Sequence, residues 1–121
     1  MNKTLNVLYV EDDKDIREEM VEILELYFDN LDTATNGKEG LEKCKNSMPE
    51  LVITDIQMPL MDGLTMSKEI LAIDSNVKII LTTAFTEQSY LEEAQKFGIT
   101  DYVNKPISIN KLFEKIESIM N

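Results

Sequence analysis

Five short apolar runs alternate with five longer stretches in which apolar residues recur at helical spacing. Leu5 to Val10 is rich in β-formers and runs straight into Glu11-Asp12-Asp13, so it reads as a buried strand whose carboxyl end carries acids. Ile16, Met20, Ile23, Leu24 and Tyr27 then form the stripe of a first amphipathic helix. Leu31 to Thr35 reads as a second, more polar strand. Asn36-Gly37-Lys38-Glu39 has the spacing of a capping box that opens a helix with Leu41 and Cys44 facing inward. The run Leu51-Val52-Ile53-Thr54-Asp55, almost wholly apolar, predicts a strand buried on both faces that stops at a carboxylate and a Pro/Asp-Gly turn. Met66, Ile70 and Ile73 space a third helix, and Val77 to Thr82 predicts the next strand, followed by Thr83-Ala84. Thr86 is placed to cap a fourth helix carrying Tyr90, Leu91, Ala94 and Phe97, closed by Gly98. Ile99 to Val103 is the expected fifth strand, and Ser108 the expected cap of a last helix with Ile109, Leu112, Phe113, Ile116 and Ile119 on one face.

Strands and helices in strict alternation imply right-handed crossovers and a parallel sheet covered on both faces, an α/β fold. Five strands fit the doubly wound order 2-1-3-4-5 better than a six-stranded arrangement. In that order the sheet reverses direction between its first and third strands, the two that end in Glu11-Asp12 and in Asp55. These carboxylates are therefore expected to converge at one crevice.

Composition narrows the setting. At 121 residues the chain is expected to form one domain, residues 1–121, large enough to need no covalent staple. Cys44 is the only cysteine and no apolar leader precedes Leu5, which points to a reduced, cytoplasmic setting with no membrane span. A formal net charge of −11 disfavours direct nucleic-acid binding. With no histidine, the chain has no imidazole to act as base, metal ligand or phosphoryl carrier.

Crowded carboxylates repel one another unless a cation neutralises them, and Mg2+ (or Mn2+) accepts such oxygen ligands while keeping several waters. Lys105, near the end of the fifth strand, and the hydroxyl of Thr83 are suited to meet a phosphate. Asp55 is then placed to act as the nucleophile that forms an acyl phosphate. Asp13 has a plainer reading, as an acid favoured at the start of a helix.

The set Tyr9-Val10-Glu11-Asp12, Thr54-Asp55-Ile56-Gln57-Met58-Pro59-Leu60-Met61-Asp62-Gly63, Leu81-Thr82-Thr83-Ala84 and Tyr102-Val103-Asn104-Lys105-Pro106 resembles the receiver domain of two-component response regulators, over the chain from Leu5 onward. The resemblance implies a signalling phosphoacceptor rather than a classical enzyme. In it Asp55 takes a phosphoryl group from a sensor histidine kinase or a histidine phosphotransfer protein. Glu11 and Asp12 hold Mg2+ directly or through water, and Asp55 and the backbone carbonyl of Gln57 complete its protein ligands. Thr83 and Tyr102 form the switch pair, Lys105 binds the phosphate, and the Lys105-Pro106 bond is cis. Gln57 and Phe85 match positions that tune loss of the phosphoryl group, and bulky Phe85 is expected to prolong the phosphorylated state. The surface of the fourth helix, fifth strand and fifth helix is expected to change and to address an output domain or target protein. A phosphorylation-dependent dimer, with Asp101 and Lys115 among its charges, stands beside a monomer.

Three other readings compete with this one. A haloacid-dehalogenase-type phosphatase needs an acid two residues after its aspartate, where this chain has Gln57. A flavodoxin-like nucleotide binder needs a phosphate loop where Glu11-Asp12-Asp13 stands. A receiver-like interaction module acting without phosphorylation is the remaining alternative. The sequence fits either a stand-alone regulator or the receiver of a longer protein.

Overall fold

Each apolar run forms a strand and each amphipathic stretch a helix in the computed structural model, which describes residues 2–120. In chain order these are β1 (Asn6–Val10), α1 (Lys14–Leu24), β2 (Asn30–Ala34), α2 (Gly37–Asn46), β3 (Leu51–Asp55), α3 (Gly63–Ile73), β4 (Lys78–Thr83), α4 (Gln88–Lys96), β5 (Tyr102–Asn104) and α5 (Ile109–Met120). The strands pair in parallel in the order β2-β1-β3-β4-β5, the doubly wound order expected from the alternation.

Alternation along the central strands sends side chains into two cores. Val7 and Tyr9 of β1, with Leu51 and Ile53 of β3, pack against Met20 and Leu24 of α1 and Leu112 and Ile116 of α5. Leu8 and Val10, with Val52 of β3, pack on the opposite face against Leu41 and Cys44 of α2, Met66 and Ile70 of α3 and Ala94 of α4. Every residue of β3 is buried, which is why its sequence is a continuous apolar run and not an alternating one. Burial raises the Cys44 thiol to about 11, as expected of an inert core residue.

Several local expectations shift. α1 ends at Leu24, so Tyr27 lies beyond it, and Ile16 and Tyr27 are exposed; Phe28 fills the buried place instead. Thr86 caps nothing: Phe85–Glu87 forms a 3-10 turn, and Glu87 Oε1 accepts from the Ala84 amide at 2.7 Å. Phe97 and Ile73 are exposed, and Lys68 Nζ sits 4.2 Å above the Phe97 ring. β5 is shorter than expected and starts at Tyr102, while Ile99 is buried ahead of it. Asn36 does cap α2, accepting from the Glu39 amide at 2.8 Å, but Glu39 Oε1 reaches the Thr35 amide instead of closing the box on Asn36. Gly98 adopts the left-handed conformation expected of a helix C-cap, φ +80°.

Candidate functional site

The parallel sheet ends its strands at one edge, and β1, β3, β4 and β5 each deliver a polar side chain there. Glu11 and Asp12 follow β1, Asp55 ends β3, Thr83 ends β4, and Lys105 follows β5. One oxygen from each of Glu11, Asp12 and Asp55 lies within 4.8 Å of the others.

Asp55 is held from two sides. Lys105 Nζ lies 2.7 Å from Asp55 Oδ1, and the Ile56 amide donates to the same oxygen at 2.9 Å. Burial alone would lower the Lys105 ammonium, but the hydrogen bond and charge of Asp55 outweigh it and leave the group raised. The Lys105-Pro106 bond is cis, as the resemblance implied.

Glu11 is buried at 2% exposure. Its Oε2 accepts from the Asp13 amide at 3.0 Å, whereas Oε1 is buried with no partner. Burial, with the Asp55 charge adding to it, pushes the Glu11 carboxyl up to about 7, against the Asp13 bond that lowers it. Asp13 itself turns away to cap α1, accepting from the Ile16 amide at 3.0 Å, which is the plainer role expected for it. Arg17 Nη1 donates to the Glu11 carbonyl at 2.8 Å and so ties α1 to the end of β1.

A hard divalent cation fits this donor set. The candidate ligands are all oxygens and they converge, and Glu11 carries a buried carboxylate oxygen with no hydrogen-bond partner among the described residues. Gln57 lies two residues past Asp55 on the loop leaving β3, and its side-chain amide donates to the Tyr90 hydroxyl of α4 at 3.3 Å. Thr83 is buried and its hydroxyl donates to the Ala84 carbonyl at 3.2 Å; Tyr102 is exposed on β5.

Two features had no reading in the sequence. Glu87 is buried near Lys105, whose charge it supports, and its only signal was a Glu three residues after a strand-end Ala. Tyr9 fits the sequence as a β-former, yet its hydroxyl is buried with no partner among the described residues.

A five-stranded doubly wound sheet with an acidic cluster and a lysine at its switch point defines a class of fold and site. The chain belongs to the response regulator receiver domain family, whose model matches residues 7–117. It is 41% identical over 86 residues to the chemotaxis protein CheY of Thermotoga maritima, covering 71% of this chain and 72% of that one. It is 34% identical over 117 residues to the uncharacterized transcriptional regulatory protein YesN of Bacillus subtilis, covering 94% of this chain but only 32% of that longer protein. Among solved structures, a chain of the CheX-CheY-BeF3-Mg2+ complex from Borrelia burgdorferi matches with a TM-score of 0.86 and 28% identity, over 97% of this chain and 90% of that one. The chain is thus a receiver domain of two-component signalling. No helix among the described residues is long and apolar enough to cross a membrane.

Proposed function

We propose that residues 1–121 act as a phosphorylatable receiver in which Asp55 accepts a phosphoryl group from the phosphohistidine of a sensor kinase or histidine phosphotransfer protein. The observation that carries this reading is the placement of Lys105 Nζ at 2.7 Å from Asp55 beside two further convergent carboxylates. Both protein contacts to the Asp55 carboxylate fall on Oδ1, leaving Oδ2 for attack on phosphorus. As the new O–P bond forms, the P–N bond of the donor breaks and the leaving imidazole takes up a proton. Glu11, Asp12, Asp55 and the Gln57 carbonyl would hold Mg2+ (Mn2+ as a substitute), which neutralises charge on the phosphoryl oxygens when bound. Lys105 then passes from its ion pair with Asp55 to the phosphoryl group. The Thr83 hydroxyl exchanges the Ala84 carbonyl for a phosphoryl oxygen, and Tyr102 turns inward from its exposed position to fill the space left behind.

The dianion shifts a pre-existing equilibrium by the difference in its contacts with the two arrangements, so α4, β5 and α5 form the surface that changes. That surface addresses an output domain or a target protein. Lys115 and Asp101 already lie 3.9 Å apart within one chain, so the charges expected for a dimer are engaged internally here. In a reduced cytoplasm this activity needs no membrane or nucleic-acid contact by the domain itself.

The test is intact mass after incubation with acetyl phosphate, with and without Mg2+, on the wild type and Asp55→Asn. One added phosphoryl group is expected only with Mg2+ and only with Asp55 present. An adduct on Asp55→Asn, or none on the wild type even from a phosphohistidine donor, sinks the reading and favours a docking module that works without phosphorylation.

A further inference from the structure

Among the described residues, the buried side-chain atoms that lack any hydrogen-bond partner are the Tyr9 hydroxyl and Glu11 Oε1. Tyr9 lies in β1 and Glu11 just past its end, and Glu11 lines a cavity with Met20, Ile107 and Ile109, side chains of the same core as Tyr9, so the two lie on one face of the sheet. Tyr9 is 1% exposed and packs there with Met20, Leu24 and Leu112. The two orphans are complementary, one a phenolic donor and the other a carboxylate acceptor. Buried tyrosine hydroxyls in folded proteins nearly always find a partner, and leaving a donor and an acceptor both bare in one region is doubly unfavourable. Burial first, then the charges of Glu11 and Asp55, push the phenol up, with Arg17 opposing.

We propose that Tyr9 is a positioning residue whose hydroxyl reaches Glu11 Oε1 through one buried water, and so aims the Glu11 carboxylate at a divalent cation. This rests on the reading of Glu11 as a metal ligand. The Asp13 amide already fixes Oε2 at 3.0 Å, and a donor on Oε1 fixes the second oxygen and with it the plane of the group. Each oxygen keeps a further lone pair for the ion. Outer partners of this kind orient ligands at metal sites generally, and removing one commonly weakens metal binding by about 10- to 100-fold. Tyr9 earns its place through Glu11 and touches neither the phosphoryl group nor the ion.

The test is Mn2+ titration of the metal-free protein, with free Mn2+ read by electron paramagnetic resonance, on the wild type, Tyr9→Phe, Glu11→Gln, the double variant and Asp12→Asn. Tyr9→Phe is expected to bind Mn2+ about 10-fold more weakly. In the Glu11→Gln background the same change is expected to have no further effect, because the hydroxyl acts through that carboxylate. Thermal unfolding in EDTA provides the control: Tyr9→Phe is expected to unfold as cooperatively as the wild type, since the change deletes one oxygen and leaves the ring packed. Unchanged Mn2+ affinity with raised thermal stability would mean a bare hydroxyl that only costs desolvation, and would overturn the positioning role alone. An equal loss in both backgrounds would overturn it too. If Asp12→Asn and Glu11→Gln both bind Mn2+ like the wild type, the metal-site reading falls and takes this inference with it.

Discussion

Glu11 sits where an ionised carboxylate is disfavoured, buried and close to Asp55. A carboxyl whose folded pKa exceeds its unfolded one holds more protons folded than unfolded. Its contribution is therefore fully present below the unfolded value of 4.5 and is lost as pH rises through about 7. The groups that set this are Asp55 and Asp12, which raise the carboxyl, and the Asp13 amide and Lys105, which lower it. In EDTA, Glu11→Gln should match the wild type in stability at low pH and exceed it above neutrality, by on the order of 1–3 kcal/mol. Urea unfolding across that range checks it; a gap independent of pH would mean that the charge on Glu11 is not the cause. Phe85 makes a cleaner functional probe, because at 90% exposure it contributes little packing. Phe85→Ala should leave unfolding nearly unchanged and shorten the phosphorylated lifetime several-fold. Single-turnover decay of the phosphorylated protein measures this, and an unaltered lifetime removes Phe85 as a barrier to water.

At the scale of elements, the loop between β3 and α3 is fixed backbone to backbone. The Gly63 amide donates to the Ile56 carbonyl at 2.6 Å, and Asp62 caps α3 through the Thr65 amide at 2.6 Å. From the start of α2, the Gly37 amide donates to the Met61 carbonyl at 2.9 Å. A Cβ on Gly63 would collide with the Asp55 carbonyl, so neither the loop nor the end of β3 has slack. Gly63→Ala should cost roughly 1–3 kcal/mol and, by displacing Asp55 and the loop bearing Gln57, weaken Mn2+ binding as well. Wild-type behaviour in both urea unfolding and Mn2+ titration would show that the loop absorbs the methyl group. This loop was legible in the sequence because its Pro and Asp-Gly sit where an apolar run stops, and the acids at strand ends followed from the same punctuation. The start of α4 was not legible: Thr86 has good capping chemistry, but a 3-10 turn held by Glu87 took that position. Tyr27 and Phe97 continue an apolar period past the point where their helices end, so periodicity alone counted them as core. The burial of the Tyr9 hydroxyl was not legible, because a strand propensity says nothing about where a hydroxyl lands.

Across the whole molecule, an excess of acidic over basic side chains gives a formal charge of −11, with three carboxylates gathered at one edge of the sheet. Two effects of added salt must then be separated. Diffuse self-repulsion is screened by any electrolyte and depends on ionic strength, with a range of about 10 Å at 0.1 M. A bound ion instead stabilises the folded state by mass action, by about 2.7 kcal/mol at 100 times its dissociation constant. MgCl2 and NaCl at equal ionic strength should therefore both raise the melting temperature, and MgCl2 should raise it further in the wild type. Asp12→Asn removes a candidate ligand that is itself exposed, so it should lose most of the extra Mg2+ increment while keeping the NaCl response. Differential scanning calorimetry of both proteins in both salts makes the comparison. If Mg2+ and Na+ act alike on the wild type, the acidic edge is only part of a diffuse negative field. If the Mg2+ increment survives Asp12→Asn intact, the ion binds elsewhere on the chain.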